Sequence, residues 1–241
     1  MPPSPFESFK SSLKAFFNTD IVSDLVVACE GREFKVHRLI LCAHSKYFAK
    51  QLNGPWKESS EKLITIKDFD SSVVEAMLYF MYNFNYTNTS GSSTMVFDAQ
   101  VYQIADKYDF EALKCHAKDR FGDAIDQSWN MDDFPLAVTV VYTTTPAEDR
   151  GLRDLVVETS HWNIDSLITR DDFCEMLRNV PDFAADLVPF LCGKLTMGVK
   201  GYNCPGCSRL VHFKFNGSIG YCPECGSKRS DWSSNEANSQ P

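Results

Sequence analysis

Four of the nine cysteines are spaced for metal chemistry. Cys204-Pro205-Gly206-Cys207 and Cys222-Pro223-Glu224-Cys225 lie fourteen residues apart, a separation at which two Cys-x-x-Cys turns close a tetrahedral zinc site. Proline presets each turn. The residue after each second cysteine, Ser208 or Gly226, lets backbone amides approach sulfur. Four thiolates fill the shell, so one Zn2+ on Cys204, Cys207, Cys222 and Cys225 would be structural, with no open position for catalysis. Two disulfides are the competing reading. Thiol–disulfide redox catalysis needs a strand–helix frame that these motifs lack. His212, between the turns, reads as a surface or strand-pairing residue, because four sulfurs already complete the shell.

No other constellation carries chemistry. His37, His44, His116 and His161 have no nucleophile or carboxylate at motif spacing, and no glycine-rich phosphate loop is present. The expectation is a protein that binds and does not catalyse. Net charge is −8, yet residues 196–241 hold five basic and three acidic side chains, which leaves −10 on residues 1–195. An acidic body argues against a general nucleic-acid surface. The local exception is the basic tail: Lys200, Arg209, Lys214, Lys228 and Arg229, with Phe213, Phe215, Tyr221 and Trp232, would make a small nucleic-acid patch. Five further cysteines, Cys29, Cys42, Cys115, Cys174 and Cys192, sit among apolar neighbours and read as buried thiols of a reducing compartment. No membrane span or signal peptide is expected, and the location is read as cytoplasmic or nuclear.

The elements around these residues follow from periodicity. Phe6, Phe9, Leu13, Phe16 and Phe17 recur at helical spacing. Asp24–Cys29 and Phe34–His37 read as an antiparallel pair across a turn at Glu30–Glu33. Helical spacing returns over Arg38–Leu52, through Leu39, Leu41, Cys42, Phe48 and Leu52, until Asn53-Gly54-Pro55 breaks it. Leu63–Ile66 is a short strand, and Ser71 or Ser72 is placed to cap a helix over Val73–Phe84. A polar loop spans Asn85–Ser93. Val96–Phe121 is helical with a break near Asp109. Beyond it the pattern gives only helices to about Leu195, with Thr145-Pro146-Ala147-Glu148 as a helix start and Asp182 and Pro189 marking two short pieces. Gly193–Asn203 reads as a linker. Leu210–Phe215 and Ile219–Tyr221 read as strands joined by an Asn216-Gly217 turn, and Ser233–Pro241 as a disordered tail. A ribbon of this size needs its metal to fold.

The order of elements over residues 6–120 is similar to that of the BTB/POZ family. The runs Ser23-Asp24-Leu25-Val26-Val27, Phe34-Lys35-Val36-His37-Arg38-Leu39-Ile40-Leu41 and Ser45-Lys46-Tyr47-Phe48 resemble its signature. Leu78–Tyr82 and Ile104–Tyr108, with Leu113 and Cys115, resemble its later helices. The Asn85–Ser93 loop departs from the family's shorter turn. The resemblance implies an α+β architecture: a BTB/POZ fold of helices around a small mixed sheet (1–120), a helical region resembling the BACK-type extension (121–195), a zinc-ribbon-like β domain (196–232) and a tail (233–241). It also implies a non-enzymatic interaction module, commonly a homodimer, with Phe6, Phe9, Leu13 and Phe16 on the dimer face and Asp24 and Arg38 at the family's buried charge pair. The bland alternatives are a helix packed on its own core and two solvated charges. A hydrophobic-x-Glu pair, Trp56 and Glu58, stands where family adaptors contact cullin-3, so a ubiquitin ligase adaptor is one implied role. A nuclear regulator whose ribbon touches nucleic acid is the other.

Overall fold

The computed structural model describes residues 4–53, 62–192, 200–213, 220–222, 224–229 and 232–235. It divides into two compact units, 1–184 and 185–241.

The first unit opens with α1 (Pro5–Lys14), for which Ser4 Oγ accepts the Glu7 N–H and Pro5 supplies the fixed first-turn φ. The helix ends before Phe16 and Phe17 and buries no residue of its own. β1 (Leu25–Cys29) pairs antiparallel with β2 (Arg32–Val36) and parallel with β3 (Leu63–Thr65), so the sheet is mixed, in the order β2-β1-β3. Leu25 faces Val36, and Val27 faces Phe34 on one side and Ile64 on the other. Alternation buries Leu25, Val27 and Cys29 and leaves Val26 and Ala28 half-covered.

Arg38–Leu52 is two helices, not one: α2 (Arg38–His44) and α3 (Lys46–Asn53). Ser45 separates them in an extended conformation, where its Oγ accepts the Phe48 N–H and donates to the Tyr108 carbonyl. That hydroxyl begins a new helix, which hydrophobic periodicity does not register. Within α2, Leu41 faces the core, so Leu39, two residues away, lies on the opposite face and is exposed, although its spacing placed it with the core.

α4 (Ser71–Asn83) is buried around most of its circumference and stands at the centre of the unit. Its N-cap is Asp70, not Ser71 or Ser72, and Phe84 closes it at φ 53°. α5 (Thr94–Lys107) ends at the expected break. Asp109 takes φ 48° while the Phe110 N–H bonds the Ala105 carbonyl and the Asp109 N–H that of Asp106, a Schellman stop. α6 (Glu111–Ser128) runs on unbroken past residue 120.

Then follow α7 (Phe134–Thr144), α8 (Arg150–Trp162), α9 (Ile164–Leu167) and α10 (Asp171–Asn179). The helix start expected at Thr145 is instead the C-cap of α7. Buried Arg153 donates to the Thr145 carbonyl and hydroxyl and stacks over Tyr142, satisfying that helix end. Asp149 caps α8 by accepting the Gly151 N–H. α11 (Pro181–Leu191) is one helix where two short pieces were expected, with Pro189 inside its final turns.

In the second unit, β4 (Lys200–Asn203) occupies residues read as linker and pairs antiparallel with β5 (Leu210–Phe213); β6 (Gly220–Tyr221) pairs with β7 (Lys228–Arg229). The expected hairpin joined the second of these strands to the third. Its Asn216-Gly217 turn lies outside the described residues. Each cysteine turn instead closes its own hairpin, which brings the two turns face to face. A 3-10 turn, Trp232–Asn235, begins with a fully buried Trp232 packed edge-on to Tyr202.

Candidate metal centre and interaction surfaces

The two cysteine turns are near copies of each other. In the first, the Ser208 N–H bonds the Cys204 carbonyl and the Cys204 N–H bonds the Arg209 carbonyl. In the second, the Gly226 N–H bonds Cys222 and the Cys222 N–H bonds Ser227, with lengths of 2.8–3.0 Å throughout. Ser208 and Gly226 hold the same left-handed position, φ 57° and 68°. This pattern turns both cysteines of a pair to one side, and the four Sγ atoms lie within 4.8 Å of one another. Cys204–Cys225 and Cys207–Cys222 are 3.8 and 3.9 Å apart. A tetrahedron of sulfurs about 2.3 Å from a central zinc has edges of about 3.8 Å, so these residues fit that ion. Sulfurs in a disulfide stand about 2.0 Å apart, so neither close pair is bonded.

The protonation of the set fits the same occupant. Burial opposes ionisation of Cys204, but the N–H groups of Cys207 and Gly206 and the neighbouring thiols bring it down to about 6. For Cys207 the Arg209 N–H pulls downward, yet burial and the adjacent sulfurs hold it up, to about 11. Without a cation the four sulfurs do not all ionise; a divalent ion resolves the conflict. Ser227 Oγ lies 3.1 Å from Cys225 Sγ and is placed to donate to it. The centre is built into a small core of Tyr202, Val211, Trp232 and the cysteines themselves.

The other sequence-derived site residues lie in the first unit. Phe6 and Phe9 are 57 and 59 % exposed; Leu13 and Phe16 are half-buried. Phe6 touches the Phe84 ring and Phe16 stands edge-on to His37. Asp24 is exposed, and its Oδ1 accepts the Arg38 N–H at 2.8 Å, closing the first turn of α2. Trp56 and Glu58 lie outside the described residues. Sequence reasoning missed Ile21, Val22 and Leu39. Val22 and Leu39 are 74 and 77 % exposed, and Val22 holds φ 49°, a conformation a β-branched residue adopts only at a cost. His37 bonds the Ile21 carbonyl through Nε2 and the Tyr82 hydroxyl through Nδ1, which pins this turn to α4. The one signal in the chain was an apolar Ile-Val pair in a polar connection.

A family model for the BTB/POZ domain matches residues 13–122. Residues 13–122 are a BTB/POZ domain. Over 103 residues the chain is 26 % identical to Kelch repeat and BTB domain-containing protein 4 of Mus musculus, an alignment covering 42 % of this chain and 18 % of that protein. Identity to BTB/POZ and MATH domain-containing protein 3 of Arabidopsis thaliana is 30 % over 117 residues, 46 % of this chain and 29 % of that one. The chain thus spans less than a third of either relative. Among solved structures, the BTB domain of human Gigaxonin aligns at 21 % identity and TM-score 0.38, over 48 % of this chain and 92 % of that one. The mixed three-stranded sheet with α2–α6 is the BTB/POZ part of an α+β chain. The helices after it and the four-cysteine unit lie outside the family match.

Proposed function

We infer that this protein is a non-enzymatic interaction scaffold, dimeric through its BTB domain, with a zinc-stabilised C-terminal module. The observation that carries it is the face of exposed Phe6 and Phe9 on a helix none of whose residues is fully buried within its own chain. Large apolar rings on an otherwise polar helix gain from a second surface, at roughly 25 cal/mol per Å² covered. Exposed Ile21, Val22 and Leu39 are further apolar surface of the same domain. Asp24 and Arg38 remain the proposed charged contact. Native mass spectrometry tests the assembly and the metal together. A dimer carrying one zinc per chain is expected, with Phe9→Glu shifting it to monomer; a wild-type monomer at micromolar concentration would sink the dimer.

The finer proposal is a substrate adaptor for a cullin-3 ubiquitin ligase, with Trp56 as an apolar anchor and Glu58 fixing register. Clients would be recognised by residues 121–232. Trp56→Ala with Glu58→Ala is expected to abolish co-purification with cullin-3. Unchanged recovery would remove the contact. A non-enzymatic reading is supported by how three of the histidines are used: His37 pins the Ile21 turn, His44 lies between Phe84 and Phe110 with burial lowering its pKa, and His116 packs on Phe80 and Tyr86. For the metal unit, Arg209 is already paired with Glu224, which favours a protein contact over nucleic acid. Among the described residues no helix is long and apolar enough to cross a membrane, and a cytoplasmic or nuclear setting is proposed.

A further inference from the structure

A cleft of about 330 Å3 lies between α1 and the end of α4, lined by Glu7, Lys10, Ser11 and Lys14 on one side and Tyr79, Asn83, Asn85, Tyr86 and Thr87 on the other. Its chemistry is dominated by donors. Lys10 and Lys14 stand one helical turn apart, and neither is in an ion pair among the described residues, although Glu7 shares their helix face. Asn85 is oriented from behind. Its Oδ1 accepts the Tyr86 N–H at 2.8 Å and faces His116 Nε2 at 3.2 Å and Arg120 Nη1 at 3.5 Å. Two of these partners are obligatory donors, so they fix the oxygen and leave the amide NH2 as what Asn85 offers the cleft. Asn83 is buried at the floor, with its own amide held by the Tyr79 carbonyl. The Thr87 and Ser11 hydroxyls complete the rim. Arg120, anchored on the Tyr86 carbonyl and paired with buried Asp98, holds its place behind Asn85.

We propose that this cleft binds a phosphomonoester carried on a partner protein's side chain, with Lys10 and Lys14 on the phosphate oxygens and the Asn85 amide donating from the opposite wall. Two ammonium groups and several neutral donors against one carboxylate suit a dianion with three free oxygens better than a monoanionic carboxylate. The cleft is larger than a phosphate group and has room for the residue that bears it. The site is independent of the cullin and zinc readings, and it shares only α1 with the dimer reading. Occupancy would also bridge α1 to the 83–87 segment.

The test is an amide-resolved NMR titration of the full chain at constant ionic strength. Three probes are used: inorganic phosphate, an uncharged-flank peptide Gly-Ala-phosphothreonine-Ala-Gly, and the same peptide without phosphate. Saturable shifts confined to residues 7–14 and 79–87 are expected with the phosphopeptide, at least about tenfold tighter than with inorganic phosphate. The unmodified peptide should give none. Lys10→Ala with Lys14→Ala should abolish the response, as should Asn85→Asp, which keeps the oxygen for Tyr86 and Arg120 but puts a charge in the cleft. Lys118→Ala, an exposed lysine on α6, should change nothing. Non-saturable shifts, equal affinity for inorganic phosphate and phosphopeptide, or a response surviving in the double lysine variant would each overturn the proposal.

Discussion

At the level of single residues the two cysteine turns invite a direct comparison, because they share the same pair of backbone–backbone bonds and carry different residues at the left-handed position. Gly226 adopts φ 68° without cost, and a Cβ there would meet nothing within 4 Å, so only backbone strain penalises a substitution. Ser208 already bears that strain at φ 57°. Gly226→Ala should therefore weaken metal retention by about 1 kcal/mol, and Ser208→Gly should strengthen it by up to a similar amount. Competition with a chromophoric chelator reads both; effects of the same sign would contradict the shared geometry. The four-cysteine cluster was legible because a Cys-x-x-Cys turn is local: four consecutive residues define its shape. The exposure of Val22 and Leu39 was not, since outward and inward faces look alike until a neighbouring element is placed. Leu39 sits at helical spacing from Cys42, yet it is Leu41 that takes the inward face of α2, which leaves Leu39 in solvent.

At the level of elements, polar side chains decided boundaries that apolar periodicity left open. Ser45 divides what reads as one helix, Arg153 converts an expected helix start at Thr145 into a helix end, and Asp149 begins α8 four residues later. Asp149 does more than cap. It accepts the Tyr102 hydroxyl and the Lys114 ammonium, each at 2.7 Å, which ties α5 and α6 to the start of α8. Burial alone would raise its pKa, but the bonds from Lys114, Tyr102 and the Gly151 N–H outweigh it and hold the carboxyl below its ordinary value. A carboxyl lowered in the folded state contributes stability above the unfolded pKa, about 3.9, and loses it as pH falls through the folded value. Asp149→Asn should thus cost about 1–2 kcal/mol at pH 7, and the deficit should shrink toward pH 3. Thermal melts of both proteins across that range check the sign. A deficit constant with pH would show that the charge on Asp149 is immaterial. None of these contacts was visible in the chain, because Asp149 meets Tyr102 across 47 positions of sequence.

At the level of the whole molecule the two units rest on different physics. Residues 1–184 bury an extensive apolar core, including Phe34, Phe48, Phe80, Phe97, Phe110 and Phe121, and should stay folded without metal. The described core around the cysteines is Tyr202, Val211, Trp232 and the cysteine cluster itself, too little apolar surface to offset chain entropy alone. Removing metal with a strong chelator is expected to abolish hydrogen-exchange protection over residues 200–213 and 220–229 while leaving protection in α4 to α6 intact. Retained protection of β4 and β5 in the metal-free protein would overturn that division.

What the chain alone determined are the features written in neighbouring residues: the zinc-type cysteine spacing, the alternation of β1 and β2, the break near Asp109, and the order of motifs that marks the BTB domain. Each depends on periodicity or turn chemistry over a few positions, so each is set before the chain folds. Tertiary structure decided the rest. It paired β4 with β5 and β6 with β7, brought the four sulfurs within 4.8 Å of one another, turned Leu39 outward, made Thr145 an end and not a beginning, and oriented Asn85 through His116 and Arg120 to make a donor-lined cleft. These outcomes depend on which distant donor meets which acceptor, and that is fixed only when packing brings the partners within hydrogen-bond reach.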